Sequence, residues 1–90
     1  MPVAIFRFHA ELNEFLPKKK RQLEIKIAFK GHETVKHLLE SLGVPHTEVD
    51  VILVEKIAVD FSTRLDDGDR VDIYPRSEML DEVPIIRLHP

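Results

Sequence analysis

Three aspartates in one short stretch are the residues of this sequence best suited by type to hold a metal ion. Asp66, Asp67 and Asp69 surround Gly68. Carboxylate oxygens are the ligands that calcium and magnesium prefer. Aspartate and glycine are also the residues that a tight turn requires. We interpret the stretch as a solvated turn and predict no metal site.

The five histidines and the serines show no catalytic spacing. The histidines stand at positions 9, 32, 37, 46 and 89 without a His-x-x-x-His pair, and no serine lies in a nucleophile-elbow sequence. No glycine-rich phosphate loop is present either. We therefore predict a protein that is not an enzyme, with no catalytic residue and no cofactor.

One run of like charge could contact phosphate. It consists of Lys18, Lys19, Lys20 and Arg21, called the basic run below. The whole chain carries a formal charge of −3, whereas nucleic-acid-binding domains usually have a clear basic excess. A solvated loop is the ordinary interpretation of such a run. We predict at most a weak RNA contact through these four side chains.

Composition predicts one domain. The chain has 90 residues, 43% of them hydrophobic and 32% charged, and it has no cysteine. The lack of cysteine excludes a disulfide scaffold and fits a reducing, cytoplasmic location. No apolar run approaches the roughly twenty residues that span a bilayer, and no signal-peptide pattern is seen, so no membrane partner is expected.

The clearest element is a short helix over residues 34–42. Its apolar side chains recur at helical spacing, Thr34 can cap its start, and Gly43 can end it. Strands are predicted over residues 3–9, 22–29, 51–54, 57–59 and 70–74 from alternation or short apolar runs. The helix and the second strand should share a core made of Val35, Leu38, Leu39, Leu42, Leu23, Ile25, Ile27 and Phe29.

Two further helical segments are expected to be short. One lies over residues 11–16 with Leu12, Phe15 and Leu16 turned inward, and the other is pinned by Phe61 and Leu65. The order of elements predicts an α+β fold. It is a mixed sheet of four to five strands that wraps one main helix, the β-grasp or ubiquitin-like architecture.

The sheet face away from the helix is a candidate protein interface. It should carry Ile5, Arg7, Lys26, Asp72 and Tyr74, a mixture of apolar and charged side chains. Tyrosine and arginine are favoured at interfaces. An ordinary polar sheet face explains the same residues equally well.

We divide the chain into a domain over residues 1–76 and a tail or linker over residues 77–90. The tail has too many apolar side chains for a solvated end, among them Val83, Ile85, Ile86 and Leu88. We expect it to be a linker that packs on a following domain. In this chain alone it should fold back on the sheet, pair with a second copy, or stay mobile beyond about residue 80. The expected state is a monomer or a weak homodimer through the tail.

Several sequence phrases resemble known β-grasp domains. FRFHAELN (residues 6–13) and LDDGDRV (residues 65–71) resemble bacterial members, and the second phrase is similar to the thiamine sulfur carrier and the small subunit of molybdopterin synthase. GVPHTEVD (residues 43–50), with ILV at 52–54 and VDFS at 59–62, is more distinctive. It resembles the ubiquitin-like domain found ahead of the Mut-seven C-terminal RNase domain, a PIN-type nuclease.

This resemblance implies an interaction module for a PIN-type RNase domain, in cis or in trans, or for its RNA. The nuclease's catalytic residues have no counterpart at any position of this sequence. A first alternative is a sulfur-carrier relative or protein modifier. Sulfur carriers end in Gly-Gly, whereas this sequence ends in Arg87, Leu88, His89 and Pro90, so we expect no thiocarboxylate. A second alternative is an independent, weak RNA-binding domain.

Overall fold

The first strand of the chain lies inside the sheet and is paired on both sides. The structure, a computed structural model, describes residues 1–76 and residue 88. In this part of the chain the strands are β1 (Val3–Phe8), β2 (Ile25–Ala28), β3 (Val51–Val54), β4 (Ile57–Val59) and β5 (Arg70–Tyr74). They pair in the order β2-β1-β5-β3-β4, and β1 is parallel to β5 while the other pairs are antiparallel. The predicted mixed β-grasp sheet is confirmed.

One α-helix, α1 (Val35–Ser41), packs on the sheet, as the periodicity predicts. Val35, Leu38 and Leu39 are buried on its inner side. Gly43 follows the helix with φ +93°, a left-handed conformation that glycine adopts without strain. The remaining helical segments of the described residues are 3-10 helices over Ala10–Phe15, Lys18–Lys20 and His46–Glu48.

The backbone N–H groups at the start of α1 find hydrogen-bond acceptors in a neighbouring loop as well as in the cap residue Thr34. The N–H of Val35 donates to the Thr63 carbonyl at 2.9 Å, and the N–H of Lys36 donates to the Phe61 carbonyl at 3.2 Å. The His37 N–H donates to the Thr34 hydroxyl oxygen at 3.2 Å. Donors that a helix start leaves unpaired therefore find acceptors. These bonds stabilise a seven-residue helix that would be marginal in isolation.

The prediction of a short helix pinned by Phe61 and Leu65 is wrong. These residues belong to the loop that bonds to the start of α1, and no helix forms there. The Asp60 carboxylate accepts hydrogen bonds from the Ser62 hydroxyl at 2.6 Å and from the Ser62 N–H at 3.0 Å. These bonds, the hydroxyl one foremost, lower the pKa of Asp60. Such local side-chain bonds compete with helix formation.

The core lies between α1 and one sheet face. Phe6 and Phe8 of β1 and Ile73 of β5 are at most 1% exposed there, next to Leu39 of the helix. The Phe6 and Phe8 side of β1 is therefore the core face. The opposite face, which carries Ile5 and the other odd-numbered residues of β1, is called the outer face below.

The second strand is shorter than predicted. It begins at Ile25 rather than at residue 22, and Leu23, assigned to the core, is 55% exposed. Gln22 has φ +61°, so the backbone leaves the extended conformation just before the strand. This bend breaks the alternation that the sequence suggested. Of the four predicted core positions, Ile25 and Phe29 are buried and Ile27 is half-buried.

The bend is held by a buried side chain that sequence reasoning did not single out. Asn13 is 4% exposed. Its Nδ2 donates to the carbonyls of Phe8 at 2.9 Å and Ala10 at 3.0 Å, and its Oδ1 accepts the Gln22 N–H at 2.7 Å. Asn13 thus links the end of β1 to the approach to β2. Leu12 and Leu16 on either side are buried as predicted, but Phe15 is 41% exposed.

The β3–β4 connection is a tight hairpin, which joins the two strands predicted over residues 51–54 and 57–59. Glu55 and Lys56 have φ of +48° and +69°. Positive values at both central residues are typical of the type I′ turn, whose twist suits a two-residue hairpin. The turn forms here without its usual Asn-Gly sequence. Among the described residues no helix is long and apolar enough to cross a membrane.

Candidate interaction surface

The strand register brings the predicted interface residues of the domain onto the outer face. Ile5 lies opposite Lys26 on one side and next to Arg70 on the other. Arg7 pairs with Asp72 across the parallel β1–β5 ladder. Because residues paired across a sheet share a face, and Tyr74 follows Asp72 by two positions, all five predicted side chains lie on one side.

Burial increases across the outer face from β2 towards β3. Lys26 on β2 is exposed, Ile5 and Asp72 in the middle are half-buried, and Leu53 on β3 is 7% exposed. Val51, which pairs with Tyr74 on the same face, is fully buried. The accessible part of the outer face is therefore the part formed by β2, β1 and the near side of β5.

A histidine that we did not include among the predicted interface residues completes a side-chain cluster on this face. The ring of His9 stacks on the ring of Tyr74, with centroids 4.1 Å apart and planes 7° from parallel. Nε2 of His9 lies 2.8 Å from Oδ1 of Asp72. His9, Asp72 and Tyr74 are called the His9 cluster below. Only the parallel pairing of β1 with β5 places these residues together, so alternation along one strand could not reveal it.

Arginines flank the His9 cluster on β1 and β5. The Nε of Arg7 is buried and has no hydrogen-bond partner among the described residues. Arg70 forms an ion pair with Glu24, which precedes β2. The outer face thus combines an ordered aromatic–carboxylate group with two guanidinium groups.

The basic run lies before β2 and is exposed throughout. Lys18, Lys19 and Lys20 form one turn of 3-10 helix. With three residues per turn, their side chains point about 120° apart. The guanidinium of Arg21 turns back instead and donates to the carbonyls of Leu16 at 3.0 Å and Glu14 at 3.3 Å. Whether these residues contact RNA stays a prediction.

Of the tail residues predicted at an interface, only Leu88 belongs to the described part of the chain. Its side chain packs against the core of the same chain, and its N–H donates to the Asp50 carbonyl at 2.9 Å. At this residue the fold-back alternative describes the structure. Val83, Ile85 and Ile86 lie outside the described residues.

A small cleft lies where β5 ends. Its volume is about 220 Å³, below the roughly 300 Å³ at which small-molecule sites begin. Its wall contains both polar and apolar residues, and we assign it no ligand. It is lined by Glu11, Leu12, Phe15, Thr47, Glu48, Val49, Asp50, Pro75 and Arg76.

In the turn that contains Asp66, Asp67 and Asp69, two carboxylates accept hydrogen bonds from backbone N–H groups. Asp67 Oδ1 accepts the N–H of Val3 at 2.7 Å, and Asp69 Oδ2 accepts the N–H of Asp66 at 2.8 Å. Gly68 has φ +87°, which the turn requires. Among the described residues no group of three or more histidine, cysteine, aspartate or glutamate side chains is placed to hold a metal ion.

The sheet order and the helix α1 packed on one sheet face define a ubiquitin-like β-grasp domain. The chain matches the family model described as Mut7-C ubiquitin over residues 1–81. It belongs to that family, in agreement with the resemblance of its GVPHTEVD phrase. Comparison with the curated proteins finds no match.

Solved structures with the same fold include a small modifier protein and a molybdopterin converting factor subunit. Two crystal structures of the small archaeal modifier protein 1 of Haloferax volcanii superpose with a TM-score of 0.63 at 16% identity, covering 83% and 86% of this chain and 98% of theirs. A Pyrococcus furiosus protein assigned as molybdopterin converting factor subunit 1 gives 0.62 at 21% identity, with 83% and 98% coverage. At these identities the likeness is one of fold.

Proposed function

We propose that this domain is a non-catalytic interaction module that docks on a PIN-type RNase domain, in cis or in trans, and positions it or its RNA. The observation that carries the proposal is the match to the Mut7-C ubiquitin family over residues 1–81. The resemblance seen in the sequence associates such domains with a following RNase of this type.

The outer face is the docking surface we propose, with the His9 cluster and Arg7 at its centre. The stacked rings and the 2.8 Å contact to Asp72 hold His9 and Tyr74 in one arrangement before a partner arrives. Side chains that are already ordered lose less conformational entropy on binding. Tyrosine and arginine are also the residues that most often dominate interface energies.

The test is calorimetric titration of a separately produced PIN-type RNase domain of this family with the chain. Arg7→Glu reverses a charge at the centre of the outer face, and we expect it to weaken binding by at least tenfold. Lys56→Glu is the matched control, since it makes the same change of sign at an exposed turn beside β4. If both variants bind the RNase domain with equal affinity, the outer face is not the docking surface. If the unaltered chain does not bind the RNase domain, the proposed partner is wrong.

The second candidate function is that of a sulfur-carrier relative or protein modifier. The observation in its favour is the shared fold with the small archaeal modifier and the molybdopterin converting factor subunit. Within these 90 residues Gly31, Gly43 and Gly68 are the only glycines, and each has a positive φ between elements of the fold. The adjacent glycine pair that thiocarboxylate carriers use does not occur among these 90 residues.

Mass spectrometry separates the two candidates. The chain is incubated with an adenylating enzyme of the carrier family, ATP and a sulfur donor. We expect its mass to stay unchanged, while a glycine-ended carrier treated in parallel gains sulfur. A gain of the mass of a thiocarboxylate by this chain would establish the second candidate.

A further inference from the structure

In the part of the chain that the structure describes, the edge of the sheet at β2 combines unpaired backbone groups with a concentrated positive charge. Strand β2 (Ile25–Ala28) is the first strand in the sheet order, and among the described strands it pairs with β1 only. Lys26 and Ala28 are both exposed. Among the described residues nothing is bonded to the backbone on the far side of this strand.

The pattern of backbone hydrogen bonds between β1 and β2 shows which N–H and C=O groups of β2 face away from the sheet. The N–H of Phe29 donates to the Pro2 carbonyl at 2.9 Å, and the register pairs Ile27 with Ala4 and Ile25 with Phe6. In an antiparallel ladder alternate residues point their N–H and C=O groups towards the same neighbour. Ile25, Ile27 and Phe29 therefore bond to β1. Lys26 and Ala28 each direct one N–H and one C=O away from the sheet.

The charge of the chain is strongly asymmetric around this edge. Residues 18–30 contain six of the thirteen basic residues and one of the sixteen acidic residues. That segment has a formal charge of +5 within a chain of −3, so the rest of the chain carries −8. The basic residues precede the strand, stand on it at Lys26 and follow it at Lys30.

A lysine on an edge strand often serves to prevent association. The other edge of the sheet argues against that role as a full explanation. Within residues 1–76, strand β4 is also paired on one side only, and Ile57 on it is 67% exposed. Its surroundings carry Glu55, Lys56 and Asp60, with a net charge of −1. The β4 edge is therefore exposed without a cluster of basic residues, so prevention of association does not explain the six basic residues near β2.

We propose that the β2 edge accepts an extended, acidic segment of a partner protein as an added strand. A peptide supplies both donors and acceptors to the outward groups of Lys26 and Ala28, as strand addition requires. The 2′-hydroxyls of RNA can donate to a carbonyl, but only an extended peptide presents one N–H and one C=O together at every second residue, as Lys26 and Ala28 do. The edge therefore favours peptide over RNA. Glutamate or aspartate side chains of the added strand would lie beside Lys26 and Lys30. This inference is independent of the RNase partner.

The probe is a short capped peptide of alternating valine and glutamate, with a valine–lysine peptide of equal length beside it. NMR amide exchange is measured on the full chain. We expect the glutamate peptide to protect the amides of Lys26 and Ala28 and to bind more weakly as salt increases. The lysine peptide should leave both amides unprotected.

A proline scan of the two edges provides the matched variants. Ala28→Pro removes an outward N–H and no ladder bond to β1, a substitution that edge strands tolerate. We expect it to weaken glutamate-peptide binding by about tenfold, the loss of one hydrogen bond plus the contact of the ring. Ala58→Pro makes the same change at the outward position of β4 and should bind the peptide normally.

Several outcomes would overturn the inference. They are protection at β4 instead of β2, equal binding by Ala28→Pro, or protection of Lys26 and Ala28 by a single-stranded oligonucleotide and by no peptide. If Ala28→Pro does not fold, Lys26→Glu combined with Lys30→Glu replaces it. This variant should lose the glutamate peptide and gain the lysine peptide, and unchanged preference would contradict the proposal.

Discussion

The carboxylate of Glu40, near the end of α1, is bonded to His46, the histidine of the GVPHTEVD phrase. Nδ1 of His46 lies 2.6 Å from Oε2 of Glu40, and the His46 N–H donates to the same oxygen at 3.3 Å. The His46 ring also meets Phe61 edge-on, with centroids 5.5 Å apart. His46 thus joins the helix to the 3-10 turn at His46–Glu48 and to the loop that caps the helix. This contact gives the histidine of that phrase a structural role.

The Glu40–His46 contact should make stability depend on pH. The His46 side-chain bond, followed by its backbone bond, lowers the pKa of Glu40 below the usual 4.5. A lowered folded-state pKa adds stability above the unfolded pKa, and that stability is lost as the pH falls through the folded value. Glu40→Gln should therefore lower the free energy of unfolding near neutral pH, with a difference that shrinks below pH 4.5. Urea unfolding of both chains at several pH values checks this, and a difference independent of pH would contradict it.

Two leucines that the sequence placed in one core provide a stability test. Leu39 is fully buried and Leu23 is 55% exposed. Leu39→Ala should cost about 2–5 kcal/mol, because it leaves a cavity against the sheet. Leu23→Ala should change stability by less than about 0.5 kcal/mol. Denaturant unfolding measures both, and a large loss for Leu23→Ala would mean that its side chain packs in solution.

Asn13 should contribute more to the stability of the domain than the size of its side chain suggests. Replacing it with alanine leaves the buried Phe8 carbonyl and the partly buried Gln22 N–H without this partner. A buried polar group without a partner costs about 1–3 kcal/mol. Asn13→Ala should therefore destabilise the domain by about that amount and accelerate amide exchange at Gln22. Unchanged exchange at Gln22 would show that the Asn13 bond does not hold the bend before β2.

If the basic run contacts RNA, the affinity for RNA should fall as the salt concentration rises. Arg21 donates to two carbonyls, so Lys18, Lys19 and Lys20 are the side chains free to neutralise phosphates. Three contacts to a single strand give a log–log salt slope no steeper than about −2. Replacing the three lysines with serine should remove that part of the slope for a single-stranded RNA in fluorescence anisotropy. The same affinity and slope in the variant would assign the run to solvent.

Much of the fold could be predicted because it is locally encoded. The stripe of Val35, Leu38 and Leu39 shows the buried side of α1, and the Glu55–Lys56 turn follows from two flanking apolar runs. The outer-face residues also follow, because side-chain alternation along a strand needs no knowledge of its neighbours.

The rest depends on contacts between distant parts of the chain. Leu23 fits a strand pattern, but the Asn13 bond to Gln22 bends the backbone first. The short helix expected between Phe61 and Leu65 is displaced by Asp60 and by bonds to the start of α1. His9 and Tyr74 come together only because β1 and β5 are parallel and adjacent. None of these three features leaves a periodic signal in the sequence.

The central claim, docking through the outer face, is tested most directly with isoleucine methyl groups. In a cross-saturation experiment with a PIN-type RNase domain of this family, the Ile5 methyl lies on the outer face, Ile73 lies in the core, and Ile57 is exposed on the opposite edge. We predict that saturation of the RNase domain attenuates the Ile5 signal and leaves Ile57 and Ile73 unchanged. Attenuation of Ile57 with Ile5 unaffected would contradict the account.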